Sequence, residues 1–161
     1  MSEQPAPPMP MIERRRIEAN ILKHVYETLK ASHGKETAQK AIGDAVRAAS
    51  IQQGAEFAAK AGGKTDMQSF ADLQPLWTME DALRIDVLKQ DATTMDFNVT
   101  RCRYAEMYRE MGLGEIGHLL SCQRDGTFCE GYDKRLKLTR SQTIMQGASH
   151  CDFRYRLEPE S

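Results

Sequence analysis

The stretch that decides the fold reads Leu83-Arg-Ile-Asp-Val-Leu-Lys-Gln-Asp-Ala-Thr-Thr-Met-Asp-Phe-Asn-Val-Thr100. Apolar residues alternate with their neighbours at positions 83, 85 and 87, and again at positions 95, 97 and 99. Alternation of this kind is typical of strands that bury one face. Because the segment Lys89 to Thr94 between the two runs is polar, the sequence predicts a β-hairpin here.

The chain before the hairpin has helical spacing. Ile17, Ile21, Val25 and Leu29 recur every four positions, which predicts a helix from Met11 to about Ser32 with one apolar stripe. The run Arg14-Arg15-Arg16 is expected on its solvated face. Gly34 is the expected stop of this helix. An Ala-rich helix is predicted from about Lys35 to Ala61, and a short third helix from Asp66 to Leu73, with Thr65 or Asp66 as its N-cap. The second helix is expected to face the core with Ala38, Ala41, Ile42, Ala45, Val46 and Ala49.

After the hairpin the pattern alternates between helix and strand. A helix is predicted over 102–111 and a helical turn over 115–121, followed by strands over 127–132, 136–140 and 150–157. Gly131 and Gly147 are then expected at turns or bulges. Helices first, then a hairpin, a helix and further strands predict an α+β fold, with N-terminal helices packed on a small antiparallel sheet.

Composition and length suggest one soluble domain over residues 11–161, after a Pro-rich tail over 1–10 that we expect to be disordered. The formal charge of −1 gives no general attraction to nucleic acid or membranes. No apolar run reaches the ~20 residues of a membrane span, so we expect a cytoplasmic protein with reduced cysteines. Alanine-rich helix faces suit packing within one chain or across a homo-oligomer.

The chemically richest stretch is 115–156, which contains three of the four cysteines and two of the four histidines. Cys122 is the first candidate nucleophile, because His118 precedes it by one helical turn and Asp125 follows three residues later. Cys151 is the second, on a strand face shared with Phe153 and Tyr155. On spacing alone, buried and inert thiols are the favoured interpretation of both cysteines.

A metal site is the rival chemical interpretation. The soft ligands that could hold zinc are Cys102, Cys122, Cys151, His118 and His150. Ligand pairs at short spacing are missing, so we expect no metal or other cofactor and keep zinc as the lesser alternative.

Several motifs together resemble the L-2-amino-thiazoline-4-carboxylic acid hydrolase family over roughly residues 15–156. They are Phe97-Asn-Val-Thr-Arg-Cys-Arg-Tyr-Ala-Glu-Met-Tyr108, Gly117 to Cys122 with Asp125, Glu130-Gly-Tyr132, and Thr139-Arg-Ser-Gln-Thr-Ile-Met-Gln-Gly147 leading to Cys151-Asp-Phe-Arg154. The expected fold is also similar to the ligand-binding domain shared by vinyl-reductase-like sensors and trafficking-complex subunits.

The resemblance implies ring-opening hydrolysis of a small cyclic amidine or related C–N heterocycle. In the reaction that names the family, 2-amino-thiazoline-4-carboxylate becomes N-carbamoyl-cysteine. On this hypothesis Cys122, or alternatively Cys151, attacks the ring, and His118 or Asp125 transfers protons. The predicted substrate-binding residues are Arg101, Arg154, Asp152 and His150, with an arginine on the substrate carboxylate.

Two other functions remain open at this stage. The first is a non-catalytic sensor whose thiol-lined pocket binds a small molecule. The second is a partner-binding protein that uses the helices over residues 11–61, which predicts a large exposed apolar patch there.

Overall fold

The computed structural model describes residues 4–160. The N-terminal half contains the helices α1 (Met11–His33), α2 (Lys35–Lys60), α3 (Met67–Ala71) and α4 (Pro75–Thr78). The hairpin follows as β1 (Leu83–Gln90) and β2 (Thr94–Cys102), then α5 (Arg103–Glu110), a π-helical turn (His118–Cys122) and α6 (Arg124–Tyr132). The strands β3 (Leu136–Thr139) and β4 (Cys151–Leu157) complete the fold, with a 3₁₀ turn (Ile144–Gln146) between them.

The four strands form one antiparallel sheet in the order β1-β2-β4-β3. The predicted hairpin is confirmed, as are the strands predicted over 136–140 and 150–157. One sheet face is buried and carries Met95, Phe97, Val99, Cys151, Phe153 and Tyr155. The opposite face is polar: Arg154 there donates to the side-chain oxygen of Asn98 across the β2–β4 pair. The α+β prediction is therefore correct.

Two predicted helix boundaries are confirmed by local geometry. Helix α1 ends at His33, and the predicted stop Gly34 follows as its C-cap, with a φ of 88° in the region that favours glycine. Asp66 begins α3 as its N-cap, because its side chain accepts a hydrogen bond from the Ser69 backbone N–H at 2.7 Å. Residues 4–10 of the expected tail contain no helix or strand, and residues 1–3 lie outside the described range.

Helix α1 buries a different face from the one its apolar stripe suggested. Ile17, Ile21 and Val25 are 57%, 67% and 41% exposed. The buried side carries Met11, Ile12, Arg15, Ala19 and Tyr26. Residues four apart line up on any face of a helix, and packing against α2 and α5 buries the face that carries Tyr26. The expectation that the arginine run is solvated is therefore wrong for Arg15.

Helix α2 also buries fewer alanines than predicted. Ala38, Ile42 and Val46 are buried as expected, whereas Ala41, Ala45 and Ala49 are exposed. The buried side continues toward the C-terminal end with the small or polar residues Ser50, Gln53 and Gly54. Alanine is a strong helix former wherever it lies, so its presence does not identify the core face.

The strand predicted over 127–132 is wrong, because these residues form helix α6. Within this segment Phe128, Cys129 and Tyr132 are buried, at helical rather than alternating spacing. A Cβ atom at Gly131 would lie 1.9 Å from the carbonyl oxygen of Ile51 in α2, so Gly131 permits close helix contact and is not at a turn. Gly147, by contrast, does end a turn, with a φ of 103°.

None of the helices within residues 4–160 is long and apolar enough to cross a membrane.

Candidate functional site

An internal pocket lies between the buried sheet face and the helices α1, α5 and α6. The volume open to the centre of a water molecule is about 60 Å³. Since one water requires roughly 10–15 Å³ of such space, the pocket has room for a compact ring. Its apolar lining includes Trp77, Leu83, Val99, Tyr104, Met145 and Phe153, and its polar lining includes Cys102, Cys122, Cys151, Asp125 and Arg140.

Cys122 and Asp125 reach this pocket from the junction of the π-helical turn with α6. A π-helical turn is rare and adds one residue to a helical turn, which re-aims the side chains that follow it. Burial, and secondarily the charge of Asp125, raise the pKa of Cys122 to about 12. The Cys122 thiol is therefore protonated at neutral pH, and any attack by it must be coupled to removal of its proton.

Asp125 is held by Arg140, the residue that follows β3. Arg140 Nη1 lies 2.6 Å from Asp125 Oδ2, and Arg140 Nη2 donates to the carbonyl oxygen of Cys122 at 2.9 Å. The guanidinium also lies over the Phe153 ring, 5.0 Å from its centroid. Burial raises the pKa of Asp125 despite the opposing charge of Arg140. Asp125 is therefore a part-buried carboxylate that can exchange a proton beside Cys122.

The other two pocket thiols act as hydrogen-bond acceptors for the backbone. The Cys102 sulfur accepts from the N–H of Ala105 at 3.4 Å and caps α5, and the Cys151 sulfur accepts from the N–H of Ile144 at 3.2 Å. Burial raises the pKa of Cys102 to about 11 and also raises that of Cys151. Cys129 is buried in α6 and does not line the pocket.

Two buried arginines at the pocket, Arg15 and Arg124, were not predicted as site residues. Arg15 is 3% exposed and donates to Glu18 at 2.7 Å. Arg124 is 7% exposed, donates from Nε to the carbonyl oxygen of Leu120 at 2.7 Å, and lies 3.6 Å from Glu18. Burial and the neighbouring Arg15 lower the pKa of Arg124 to about 10.

The pocket therefore has an excess of positive charge. Three guanidinium groups, on Arg15, Arg124 and Arg140, meet two carboxylates, on Glu18 and Asp125, which leaves a net charge of +1. A buried uncompensated charge is costly unless an anion balances it. The sequence contained a signal that Arg15 is buried: it lies four residues after Met11 and four before Ala19, on the same face of a helix.

Both predicted histidines lie outside the pocket. His118 is half-buried and lines a surface groove with Lys40, Gly43 and Gln123, although it is in the same turn as Cys122. His150 contacts the side chains of Gln142 and Ser149 and thereby holds the loop before β4. The structure therefore does not bring either imidazole to the Cys122 thiol.

The other predicted substrate-binding residues also point elsewhere. Arg101 is exposed and pairs with Asp81 and Glu106 at 3.6 and 3.4 Å. Arg154 lies on the polar sheet face and donates to the carbonyl oxygen of Phe97 at 3.1 Å. Asp152 accepts from the backbone N–H of Ser141 at 2.9 Å and so anchors the loop after β3. Strand alternation places residues 152 and 154 opposite Cys151, which is why they cannot share its pocket.

Within residues 4–160, no group of three or more His, Cys, Asp or Glu side chains is arranged to hold a metal ion. The three pocket thiols and Asp125 line the same space but do not form such a group.

The fold and pocket define an α+β protein with an internal pocket lined by thiols and charged groups. The chain belongs to the L-2-amino-thiazoline-4-carboxylic acid hydrolase family, whose sequence model matches residues 14–155. This confirms the resemblance found in the motifs. No protein with a curated description is significantly similar in sequence.

Two solved structures are similar in fold. One is the phenol-responsive sensory domain of the transcription activator PoxR with phenol, with a TM-score of 0.51, 13% identity and coverage of 86% of this chain and 73% of that one. The other is a trafficking protein particle complex subunit 3 from Naegleria fowleri covalently bound to palmitic acid, with a TM-score of 0.50, 12% identity and coverage of 89% and 97%. At these identities the similarity concerns the fold alone.

Proposed function

We propose that this protein hydrolyses a small cyclic amidine or related heterocycle that carries a carboxylate. The observation that carries the proposal is the excess positive charge of the pocket, supplied by Arg15 and Arg124 beside the Cys122–Asp125 pair. A substrate carboxylate would balance this charge through charge-assisted hydrogen bonds. Family membership supports the reaction class, and 2-amino-thiazoline-4-carboxylate is the first substrate to test.

In the proposed first step, the Cys122 sulfur bonds to the ring carbon that lies between the nitrogen and the ring sulfur. Its proton passes to a carboxylate oxygen of Asp125. The bond from that carbon to the ring sulfur then breaks, and the departing sulfur takes the proton from Asp125 and leaves as a thiol. For a ring without sulfur, the corresponding C–N bond breaks and the nitrogen takes the proton.

In the second step, water attacks the same carbon and the bond to Cys122 breaks. One water proton returns through Asp125 to the Cys122 sulfur, and the other remains on the substrate amino group. One water is consumed in total, and the thiazoline yields N-carbamoyl-cysteine. Asp125 is preferred over His118 as the proton carrier because it lines the pocket with Cys122, whereas His118 lies on the surface groove.

The primary test incubates the purified protein with carboxylated thiazolines, cyclic amidines and hydantoins, and follows ring opening by mass. Cys122→Ser is expected to lower turnover at least about a hundredfold, as for loss of a group that reacts directly. Cys129→Ser is the matched control, since this buried thiol lies outside the pocket. Equal turnover in both variants would rule out attack by Cys122.

A chelator tests the metal alternative with the same assay. We expect unchanged turnover after dialysis against chelator, because the proposed steps use only Cys122 and Asp125. Loss of turnover that zinc restores would favour metal-assisted hydrolysis over the covalent scheme.

A second candidate is a non-catalytic sensor that binds a carboxylated small molecule. The raised thiol pKa values and the largely apolar lining favour it, since an unreactive thiol is sufficient for binding. Tight binding of panel compounds by calorimetry without ring opening by wild-type protein would select this function. With either function we propose a cytoplasmic location, which the four free thiols support.

A further inference from the structure

A second chamber adjoins the pocket on the side of α2 and α3. The volume in it that is open to the centre of a water molecule is about 40 Å³. The two chambers share six lining residues: Arg15, Trp77, Leu83, Arg124, Asp125 and Phe153. The buried arginines thus stand at the boundary, where one anionic group can contact both while the rest of a ligand extends in two directions.

The walls of the second chamber are chiefly aromatic. They include Phe70, Phe97, Phe128 and Tyr155 together with the shared Trp77 and Phe153. Phe70 and Tyr155 have ring centroids 4.9 Å apart, and Trp77 meets Phe128 edge-on at 5.6 Å. Aromatic walls bind a flat ring by offset stacking and edge-to-face contacts. At roughly 10–15 Å³ per water, the chamber has space for three or four water-sized groups, which is comparable to one six-membered ring.

Gln53 supplies the polar contact in this chamber. It is 5% exposed, and its Oε1 accepts a hydrogen bond from Arg15 Nη2 at 3.2 Å. That bond identifies the oxygen of the amide, since a guanidinium can only donate. Among the described residues, Gln53 Nε2 is the one buried side-chain nitrogen or oxygen atom without a hydrogen-bond partner. A buried donor without an acceptor is costly, and a ligand oxygen would satisfy it.

We propose that the natural ligand carries an aryl group with an oxygen acceptor, which occupies the second chamber and accepts a hydrogen bond from Gln53. Its carboxylate contacts Arg15 and Arg124 at the boundary, and its heterocycle lies beside Cys122. The positions of the heterocycle and the carboxylate rest on the proposed function, whereas the aryl contacts do not. The aryl group is then attached to the carbon that bears the carboxylate or to the adjacent ring carbon.

The test measures affinity by calorimetry, with the complete protein and a matched series of carboxylated rings. The series carries a methyl, a benzyl or a 4-hydroxybenzyl substituent at one position. Burial of the aryl ring is expected to strengthen binding roughly tenfold or more over methyl. The hydroxyl is expected to add about three- to tenfold through Gln53. Equal affinities for the methyl and benzyl compounds in wild-type protein would overturn the proposal.

Gln53→Met isolates the polar contact, with Gln52→Met as its control one residue away on the exposed side of α2. Gln53→Met is expected to abolish the preference for 4-hydroxybenzyl over benzyl, and Gln52→Met to retain it. Retention of the preference in Gln53→Met would overturn the role of Gln53.

The same binding series separates this inference from the catalytic proposal. Aryl-dependent binding without ring opening refutes hydrolysis and supports the ligand class. Ring opening of the methyl compound without any aryl preference supports hydrolysis and overturns the ligand class.

Discussion

Arg140 and Asp125 form a part-buried ion pair, with Arg140 Nη1 2.6 Å from Asp125 Oδ2. The pair joins the end of β3 to the first turn of α6, and Arg140 also binds the carbonyl oxygen of Cys122. A residue 15 positions away in the chain therefore orients the carboxylate beside the candidate nucleophile.

Asp125→Asn tests the role of this carboxylate. Turnover should fall about a hundredfold or more, because the amide cannot accept the Cys122 proton. Alkylation of Cys122 by iodoacetamide should nevertheless become faster, since the Asp125 charge helps to raise the pKa of this thiol. Peptide mass spectrometry of the alkylated protein measures the rate. Slower or unchanged alkylation would show that Asp125 does not act on Cys122 electrostatically.

Arg15→Met tests the anion site, with Arg14→Met as the control in the same arginine run. Arg15 is buried at the pocket, whereas Arg14 is exposed. Loss of Arg15 should weaken binding of a carboxylated ring about tenfold or more, the range for a hydrogen bond to a charged group. Binding of the corresponding carboxamide should change much less. Equal losses for both compounds would indicate a general packing defect.

Gly131→Ala tests the close contact between α2 and α6. The added Cβ would lie 1.9 Å from the Ile51 carbonyl oxygen, so the helices must separate, at a cost of about 1–3 kcal/mol in unfolding free energy. Gly126→Ala in the same helix meets no atom within 4 Å and should be neutral or stabilising by up to ~1 kcal/mol. Urea unfolding measures the stability of both variants. Equal stability would contradict a close contact between α2 and α6 at Gly131.

Glu115→Gln tests an ion-pair cluster that ties the loop after α5 to α1 and α2. Lys35, Tyr26 and Lys30 lower the pKa of Glu115 from 4.5 to about 2. A lowered folded-state pKa stabilises the protein above the unfolded value, and this contribution disappears as the pH falls through the folded value. Wild type should therefore exceed Glu115→Gln in stability above pH 4.5, and the difference should vanish near pH 2. Urea unfolding at several pH values measures the stability difference. A difference that does not change with pH would contradict a lowered pKa of Glu115.

Much of the fold followed from local patterns. Alternation identified the hairpin and the buried face of β4, and Gly34 and Asp66 identified helix boundaries, because these features depend on backbone conformation and neighbouring hydrogen bonds. The segment over 127–132 was mistaken for a strand, since short apolar runs fit either period. The helix there packs closely against α2 at Gly131. The periodicity of apolar residues does not reveal such a contact between distant segments.

The candidate site divides in the same way. Three of the residues predicted for the site, Cys122, Asp125 and Cys151, line one pocket, and their role in catalysis stays a prediction. The predicted histidines and arginines lie outside this pocket, because the direction of a side chain depends on which helix face or strand face is buried. Arg15 lies at the pocket because it is on the buried face of α1, and His118 in the π-helical turn lies on the surface groove.

The sequence by itself determined the α+β fold class, the hairpin, the polar and apolar faces of the sheet, and the family. Only the tertiary structure decided which arginines share the pocket with Cys122 and Asp125, and that a second aromatic chamber adjoins it. The reason is physical: periodicity records local backbone geometry, whereas a pocket is formed by residues far apart in the chain whose positions depend on packing.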